Sequence, residues 1–269
     1  MSKLLITYKN LKFNIESDGD HYGQEFWVSL QNRAWEPDTL DFLDREITPE
    51  TIFFDIGAAN GSMTLIGASL GAKVIAYEPN PTVFQVCKVN LDLNPRLSEH
   101  VDLKMAAVSS FPGSLTFETG RNTAVITDIS VGIHEDKNTK IPILSLKNEL
   151  EEFADWNKKI LIKMDIEGAE FAILHEKSSL EAMRKCRAKL LLAIHPGFYR
   201  PLGNSKLLRG IRFKVFIFRN FIEAARLYKE ISKFAKIYRT NLNPVKSSRI
   251  FGLLVIASYH EFIIDFNTH

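Results

Sequence analysis

The sequence FFDIGAANGS at residues 53–62 joins an apolar run to a turn of small residues. Thr51–Ile56 is apolar and β-prone up to Asp55, which predicts a strand buried on both faces of a parallel sheet. Gly57 and Gly61 then allow a tight turn and a close approach of a ligand to the backbone. The stretch therefore predicts a strand that leads into a binding turn.

A helix and a second strand follow this turn. The helix is predicted over about residues 62–70, and the strand Lys73–Tyr77 ends at Glu78, 23 residues beyond Asp55. In folds that bind dinucleotides, a carboxylate at the tip of the second strand accepts hydrogen bonds from the ribose hydroxyls. The pattern predicts a doubly wound α/β fold whose ligand carries a nucleoside.

Two details favour S-adenosylmethionine over a nicotinamide cofactor. The small residues Gly57, Ala59 and Gly61 do not follow the G-x-G-x-x-G spacing of the dinucleotide fingerprint. Asp55 lies two residues before Gly57, where its negative charge suits a cationic amino-acid group better than a pyrophosphate. S-adenosylmethionine carries an ammonium and a sulfonium and no phosphate. The alternative is an ordinary strand, turn and helix that bind no ligand.

Composition is that of a single soluble α/β protein, with 45% hydrophobic residues and a mean hydropathy of -0.07 over 269 residues. No apolar run approaches the roughly 20 residues of a membrane span, and the apolar N-terminal stretch is too short for a signal peptide. Cys87 and Cys186 are the two cysteines, which excludes a disulfide framework or a zinc cluster. We therefore expect a cytoplasmic protein, of an oligomeric state that the sequence does not indicate.

Charge is distributed unevenly along the chain. Residues 200–250 contain 13 Lys or Arg against two acidic residues, whereas the rest has 21 basic and 30 acidic residues. One interpretation is a helix and loops with charges facing water. The other is a basic surface that attracts an anionic acceptor, such as a phosphorylated or lipid-linked sugar, a nucleic acid or an anionic membrane.

The middle of the chain continues the α/β alternation. A helix over 81–93 is predicted to precede a third strand at 101–105, after which Ala107 leaves room for an adenine ring. An insertion at 114–145 is predicted to form a hairpin and a loop near the site, and a helix is predicted at 146–156.

Three ionisable side chains are predicted at the ends of later strands. The strand Lys159–Met164 ends at Asp165, with Glu167 close behind, and a strand at 189–194 places His195 at the same edge. A neutral His195 or Asp165 can take the proton from an acceptor hydroxyl. Each also has a structural alternative, since Asp165 can cap the helix expected to begin near Gly168 and His195 can be a hydrogen-bonded structural residue.

The last elements are predicted to complete a seven-stranded sheet. A helix is expected near residues 220–234, with strands near 237–240 and 251–258, the final strand being antiparallel. The predicted fold class is a Rossmann-like, doubly wound α/β sheet with N-terminal and C-terminal extensions.

The motifs resemble those of FkbM-type methyltransferases over about residues 35–196. They are DIGAANG at 55–61, YEPNP at 77–81, KMDIEGAE at 163–170 and IHP at 194–196. WEP at 35–37 is similar to the family's acidic-proline segment beside the cofactor, which implies a role for Glu36. The chain departs from the family where Ala59 precedes Asn60, and where Lys147 stands in place of an acid.

The resemblance implies an S-adenosylmethionine-dependent methyltransferase that acts on hydroxyl oxygens of sugars, polyketides or related metabolites. Residues 1–50 would form an extension with short strands and a leading helix, and residues 51–269 the methyltransferase domain. The predicted catalytic residues are Asp165, His195 and Glu167. The predicted cofactor-binding residues are Glu36, Asp55, Gly57, Ala58, Asn60, Gly61, Glu78, Pro79 and Ala107.

We predict O-methylation of a sugar, a glycan unit or a related small metabolite. A divalent ion at Asp165 is an alternative, since some O-methyltransferases use one, but no ligand-spacing motif demands it and no metal-binding residue is predicted. A nucleic-acid methyltransferase is less favoured, because the chain lacks an Asn/Asp-Pro-Pro-aromatic motif and a Pro-Cys nucleophile. A non-catalytic cofactor-binding protein is the third hypothesis.

Overall fold

The computed structural model describes residues 3–16, 23–118, 138–153, 158–166, 169–194, 206–257 and 261–268. The strands are β1 (Lys3–Tyr8), β2 (Leu11–Glu16), β3 (Thr51–Ile56), β4 (Lys73–Tyr77), β5 (Val101–Lys104), β6 (Ala107–Ser109), β7 (Gly113–Glu118), β8 (Asn138–Ser145), β9 (Lys159–Met164), β10 (Lys189–Ala193), β11 (Lys236–Arg239) and β12 (Glu261–Asp265). The helices are α1 (Gly23–Gln31), α2 (Pro37–Glu46), α3 (Ser62–Ser69), α4 (Pro81–Asp92), α5 (Pro95–Ser98), α6 (Leu146–Glu151), α7 (Glu170–Leu174), α8 (Lys177–Lys185), α9 (Lys206–Ile231) and α10 (Ser248–Ile256), with a 3₁₀ turn at Phe266–Thr268.

A seven-stranded sheet forms the centre of the molecule, in the order β11-β12-β10-β9-β3-β4-β5. The neighbouring pairs from β10 to β5 are parallel, and β12 is antiparallel to both β10 and β11. This confirms the predicted Rossmann-like doubly wound sheet with an antiparallel last strand.

The central strands are buried because both faces of the sheet are covered. All six residues of β3 are buried, and alternate side chains point to opposite layers, with Phe54 in one core cluster and Phe53 in the other. The first layer contains residues of α6 to α10, and the second contains α1 to α4 together with the β1–β2 hairpin. The N-terminal segment therefore packs onto the same core as the central sheet.

The predicted strand at 251–258 is wrong, because residues 251–256 lie in α10, while residue 258 lies outside the described residues. The Ser247 side chain accepts a hydrogen bond from the Ile250 backbone N–H at 3.2 Å and caps the helix. Phe251 and Val255, one turn apart, are both fully buried. A short apolar run does not distinguish a helix from a strand by periodicity, and the final strand is instead β12.

Other predicted boundaries shift by smaller amounts. The helix expected at 220–234 begins earlier, as the 26-residue α9. The predicted hairpin is present as antiparallel β7 and β8, which join β6 in a separate three-stranded sheet. Within the described ranges, no helix is long and apolar enough to cross a membrane.

Candidate active site

The carboxyl edge of the central sheet gathers acidic side chains from several strands. Asp55 is the penultimate residue of β3, Glu78 directly follows β4, and Asp165 directly follows β9. Glu261 begins the antiparallel β12 and pairs with Ala193, the last residue of β10, so it lies at the same edge. Ligands of open α/β sheets bind outside this edge.

The turn between β3 and α3 requires glycine at two positions. Gly57 has φ of 90°, and a Cβ atom there would lie 2.0 Å from the carbonyl oxygen of Asp165. Gly61 has φ of 84°, and its Cβ would lie 2.8 Å from Cys87 Sγ. Both conformations favour glycine, and both positions are packed too closely for a side chain. The turn is thus held against β9 on one side and α4 on the other.

The Glu78 side chain connects the β3–α3 turn to the end of β4 by hydrogen bonds. Its Oε2 accepts a hydrogen bond from the Ala59 backbone N–H at 3.0 Å, and its Oε1 accepts one from the Asn80 backbone N–H at 2.8 Å. Burial raises the pKa of Glu78 to about 7, although these two hydrogen bonds oppose the shift. Each carboxylate oxygen has capacity for a further hydrogen bond, so the arrangement is compatible with ribose hydroxyls as additional donors.

Asn60, where the chain departs from the family pattern, is turned inward. Its side-chain Oδ1 accepts a hydrogen bond from the Ser62 backbone N–H at 3.2 Å, and its backbone oxygen accepts one from Asn90 Nδ2 at 3.0 Å. The side chain is 1% exposed. In this conformation the amide stabilises the start of α3.

A buried lysine lies at the centre of the acidic edge. The Lys163 side chain is 8% exposed, and its Nζ lies 3.3 Å from Asp165 Oδ2. Burial alone would lower the pKa of Lys163, but the charges of Asp165, Glu36 and Asp55 outweigh it and raise the pKa well above its usual range. Lys163 therefore stays charged and holds the carboxylates around it.

Asp55 is fully buried, and half of its carboxylate is unsatisfied. Oδ2 accepts a hydrogen bond from Thr64 Oγ1 at 2.6 Å, whereas Oδ1 has no hydrogen-bond partner in the described part of the chain. Burial raises the pKa of Asp55 to about 6, with opposing contributions from Lys163 and Thr64. Buried polar atoms are nearly always paired, so Oδ1 marks a position suited to a ligand.

The N-terminal and C-terminal segments complete the edge. Glu36 precedes α2 in a left-handed conformation with φ of 42°, and its Oε1 accepts a hydrogen bond from Trp35 Nε1 at 3.2 Å. Thr39 Oγ1, on the first turn of α2, lies 3.5 Å from Glu261 Oε1. Burial raises the pKa of Glu261 to about 7, and the nearby charges of Glu36 and Asp38 contribute to the shift.

A model of the FkbM methyltransferase domain matches residues 55–225, more than half of the chain. The chain belongs to the FkbM methyltransferase family. The matched range contains the β3–α3 turn, Glu78, Lys163 and Asp165, and it stops before β12. Glu36 and Glu261 therefore join the edge from outside the matched part of this FkbM protein.

Individual relatives of the FkbM protein are distant. AglP, a hexuronic acid methyltransferase of Haloferax volcanii, is 26% identical over 185 residues, which cover 69% of this chain and 72% of AglP. The SAM-dependent methyltransferase from Agrobacterium tumefaciens has a TM-score of 0.38 at 11% identity, covering 74% of this chain and 55% of that structure. WbdD has a TM-score of 0.42 at 11% identity, covering 89% of this chain and 40% of WbdD.

The FkbM protein is a methyltransferase, and its cofactor is S-adenosylmethionine, as predicted. The residues at the edge fit this cofactor. Asp55 Oδ1 is buried without a partner among the described residues, and the glycine turn begins two residues later, at Gly57. The carboxylates gathered around Lys163 favour a ligand that carries an ammonium and a sulfonium.

The structure brings several of the predicted site residues of the FkbM domain together. Asp55, Asp165 and Glu36 interact electrostatically around Lys163, and Gly57 packs against the Asp165 backbone. Ala58, Asn60, Gly61, Glu78 and Pro79 lie in or beside the turn that Glu78 fastens, with Ala58 buried and Pro79 partly exposed.

Of the remaining predicted residues, one lies outside this cluster and two lie outside the described part of the chain. Ala107 is buried at the start of β6, in the three-stranded sheet, and its contact with adenine remains a prediction. His195 and Glu167 lie outside the described residues. Among the residues that the structure describes, no three His, Cys, Asp or Glu side chains are grouped as metal ligands.

Sequence reasoning did not select Lys163, Thr64 or Glu261. Lys163 had a signal, because a lysine inside the otherwise apolar strand KILIKM has to be buried or paired. Thr64 lies in a small-residue helix and gives no such signal. Glu261 was missed because the last strand was predicted ten residues too early in the chain.

Proposed function

We propose that this FkbM methyltransferase transfers a methyl group to a hydroxyl oxygen of a sugar or glycan unit. The similarity to AglP, named as a hexuronic acid methyltransferase, is the observation that supports a sugar acceptor. S-adenosylmethionine supplies the methyl group as an electrophilic carbon bonded to a sulfonium. Residues 1–50 would act as an extension of one methyltransferase domain that spans 51–269.

The carboxyl edge supports a specific set of donor contacts. Asp55 is suited to the donor's ammonium, because its buried Oδ1 lacks a partner in the described chain. Glu78 and Pro79 would face the ribose, and the turn Gly57–Gly61, with Ala58 and Asn60, would line the donor. Ala107 would lie near adenine, and Glu36 beside the donor. In this arrangement the chain binds the donor chiefly by charge.

The residues on the acceptor side would orient a hydroxyl and remove its proton. The sequence candidates are Asp165, Glu167 and His195, of which Asp165 is bound to Lys163 at 3.3 Å. A covalent route through a cysteine has no support, because Cys87 and Cys186 are both buried and burial raises the pKa of each thiol. Direct transfer with a carboxylate or histidine base is therefore the reaction that the site favours.

The test combines donor binding with identification of the product. Calorimetry should detect binding of S-adenosylmethionine and S-adenosylhomocysteine. Radiolabelled methyl should then transfer to hexuronic acid glycosides or to a glycan fraction of a cell lysate, in a product that survives mild alkali. An alkali-labile product would be a methyl ester and would overturn the choice of a hydroxyl, and absence of donor binding would overturn the whole proposal.

Methylation of a nucleic acid is a second candidate, because the lysine-rich and arginine-rich residues 200–250 expose cations in their described part. Arg226, Lys229, Lys246 and Arg249 are all exposed on α9, on α10 or between them. The same surface is compatible with an anionic glycan or a phosphorylated sugar. Binding of RNA or DNA whose affinity falls steeply with salt, together with label in the nucleic acid, would favour this candidate.

A further inference from the structure

The sheet order sets a direction along the carboxyl edge. Glu78 follows β4, Asp55 lies on β3, Asp165 follows β9, and Glu261 begins β12, beyond β10. With strands about 4.8 Å apart, β12 lies roughly 14 Å from β3 along this edge. If Glu78 faces the ribose and Asp55 the ammonium, as in the proposed function on which this inference rests, the acceptor lies toward β10 and β12.

Glu261 is placed to face such an acceptor. Its Oε1 lies 3.5 Å from Thr39 Oγ1 on α2, and the charges of Lys163, Asp165, Glu36 and Asp38 all act on its pKa. The independent sign that this cluster receives a ligand is Asp55 Oδ1, which is buried and has no partner among described residues. Glu261 itself is only partly buried, so it can contact both the cluster and a bound molecule.

The bonding of Glu261 differs from that of Asp165. Asp165 binds the buried ammonium of Lys163 at 3.3 Å. Within the described part of the chain, Glu261 accepts a long hydrogen bond of 3.5 Å from Thr39 Oγ1, and its carboxylate has capacity for further donors. The pKa of Glu261 is raised to about 7 by burial and by Glu36, Asp38 and Asp165, against the opposing charge of Lys163. A base whose pKa lies near the working pH is efficient.

We infer that Glu261, from outside the matched FkbM domain, is the general base that accepts the proton of the acceptor hydroxyl. As the acceptor oxygen forms its bond to the methyl carbon, the carbon–sulfur bond breaks and its electron pair remains on sulfur. The hydroxyl proton passes to the Glu261 carboxylate and then to water, which restores the base. Asp165 acts as a positioning residue that holds Lys163.

The test is Glu261→Gln, with Asp265→Asn as the matched control. Asp265 lies on the same strand at the opposite edge of the sheet, 3.7 Å from Lys189. We expect kcat of Glu261→Gln to fall about 100-fold or more, while donor affinity by calorimetry changes little. The acidic limb of the kcat profile should disappear in Glu261→Gln and persist in Asp265→Asn.

Infrared spectroscopy, which needs no catalytic turnover, distinguishes a role of Glu261 as a base from a purely structural role. Infrared spectra of the protein without donor should show carboxyl absorption that titrates near neutral pH and that is reduced by one carboxyl group in Glu261→Gln, because Glu78 and Asp55 titrate in a similar range. Glu261→Asp keeps a carboxylate and should keep the acidic limb with a reduced kcat, which tests the inference if Glu261→Gln does not fold.

Two results would overturn the inference. One is a folded Glu261→Gln protein with unchanged kcat and an unchanged acidic limb. The other is loss of that limb in Asp165→Asn but not in Glu261→Gln, which would make Asp165 the base. Failure of the wild-type protein to bind the donor or to methylate a hydroxyl would instead reject the proposed function.

Discussion

The two edges of the central sheet differ in how the charges of their buried and partly buried carboxylates are compensated. At the carboxyl edge, Asp55, Asp165, Glu36 and Glu261 all interact electrostatically with the ammonium of Lys163. At the amino edge, Glu46 alone receives Lys159, Lys189 and Arg45, each at 3.0 Å. The strands β9, β10 and β12 run between both edges, so the same elements carry both arrangements.

The pKa values follow this difference. Burial raises the pKa of Asp55 to about 6 and that of Glu261 to about 7. Burial also acts on Glu46, but hydrogen bonds from Lys189, Lys159 and Arg45 overcome it and lower the pKa to about 2. An excess of negative charge at one edge suits a cationic ligand, whereas compensated charge at the other edge stabilises the fold. The helix α2, about 15 Å long, connects the two edges, since Glu36 precedes the helix and Glu46 is its last residue.

Gly57→Ala should have the largest effect, because it disturbs the geometry on which the carboxyl edge depends. The new Cβ would meet the Asp165 carbonyl oxygen at 2.0 Å, in addition to the strain of φ at 90°. We expect a loss of about 3 kcal/mol or more in the free energy of unfolding, with loss of donor binding.

Gly71→Ala is the matched control for this change. Gly71 has φ of 98°, but its nearest neighbour, Pro49, would lie 3.5 Å from the new Cβ. It therefore retains the strain without the clash, and we expect a loss of about 1 kcal/mol by urea unfolding. Equal losses in the two variants would show that the contact with Asp165 is unimportant.

Asp55→Asn removes charge from the undercompensated edge. We expect donor affinity, measured by calorimetry, to fall about 100-fold, since the ammonium of the donor would lose its ionic partner. Stability without donor should stay the same or rise, because a buried and partly unpaired charge is removed. Asp92→Asn, at an exposed pair with Lys88, should change neither quantity. A large loss of stability in Asp55→Asn would contradict the contrast between the two edges.

Glu46→Gln removes charge from the compensated edge and should have the opposite outcome. We expect a loss of about 2 kcal/mol in stability, since the variant leaves cations without their carboxylate, and little change in donor affinity. The contribution of wild-type Glu46 is present above its unfolded pKa of 4.5 and is lost as the pH falls toward about 2. Urea unfolding of both proteins at neutral and acidic pH checks this, and a Glu46→Gln protein of wild-type stability would refute it.

The smallest expected effect is a pH dependence of the donor-free protein. Asp55, Glu78 and Glu261 have raised pKa values, so the native state keeps protons that the unfolded chain loses between about pH 4 and pH 7. Their contribution to stability is full below this window and is lost as pH rises through it. We expect Tm to fall by a few degrees, and donor binding to strengthen and release protons. Calorimetry in buffers of different protonation enthalpy measures that release.

Local pattern was sufficient for much of the fold. The strands β3, β4 and β9 were predicted at their observed bounds, because continuous apolar runs ended by glycine and acidic residues are distinctive. The run at 251–258 was predicted wrongly as a strand, because a helix cap at Ser247 and packing on α9 outweigh its β propensity. The candidate site shows the same contrast between local pattern and tertiary packing. Asp55 and Asp165 lie at the ends of strands that were predicted correctly, whereas Glu261 begins a strand whose position was predicted wrongly.

The sequence by itself determined the turn at Gly57 and Gly61, the acidic tips of the strands and the family, since these depend on residues close together in the chain. The tertiary structure decided which carboxylates interact with Lys163 and which carboxylate, Asp55, is partly unpaired among the described residues. That choice depends on strand order and on the antiparallel β12, which brings Glu261 to the edge from a residue nearly one hundred positions after Asp165. Coulomb interactions depend on distance in space, and only the packed sheet sets that distance.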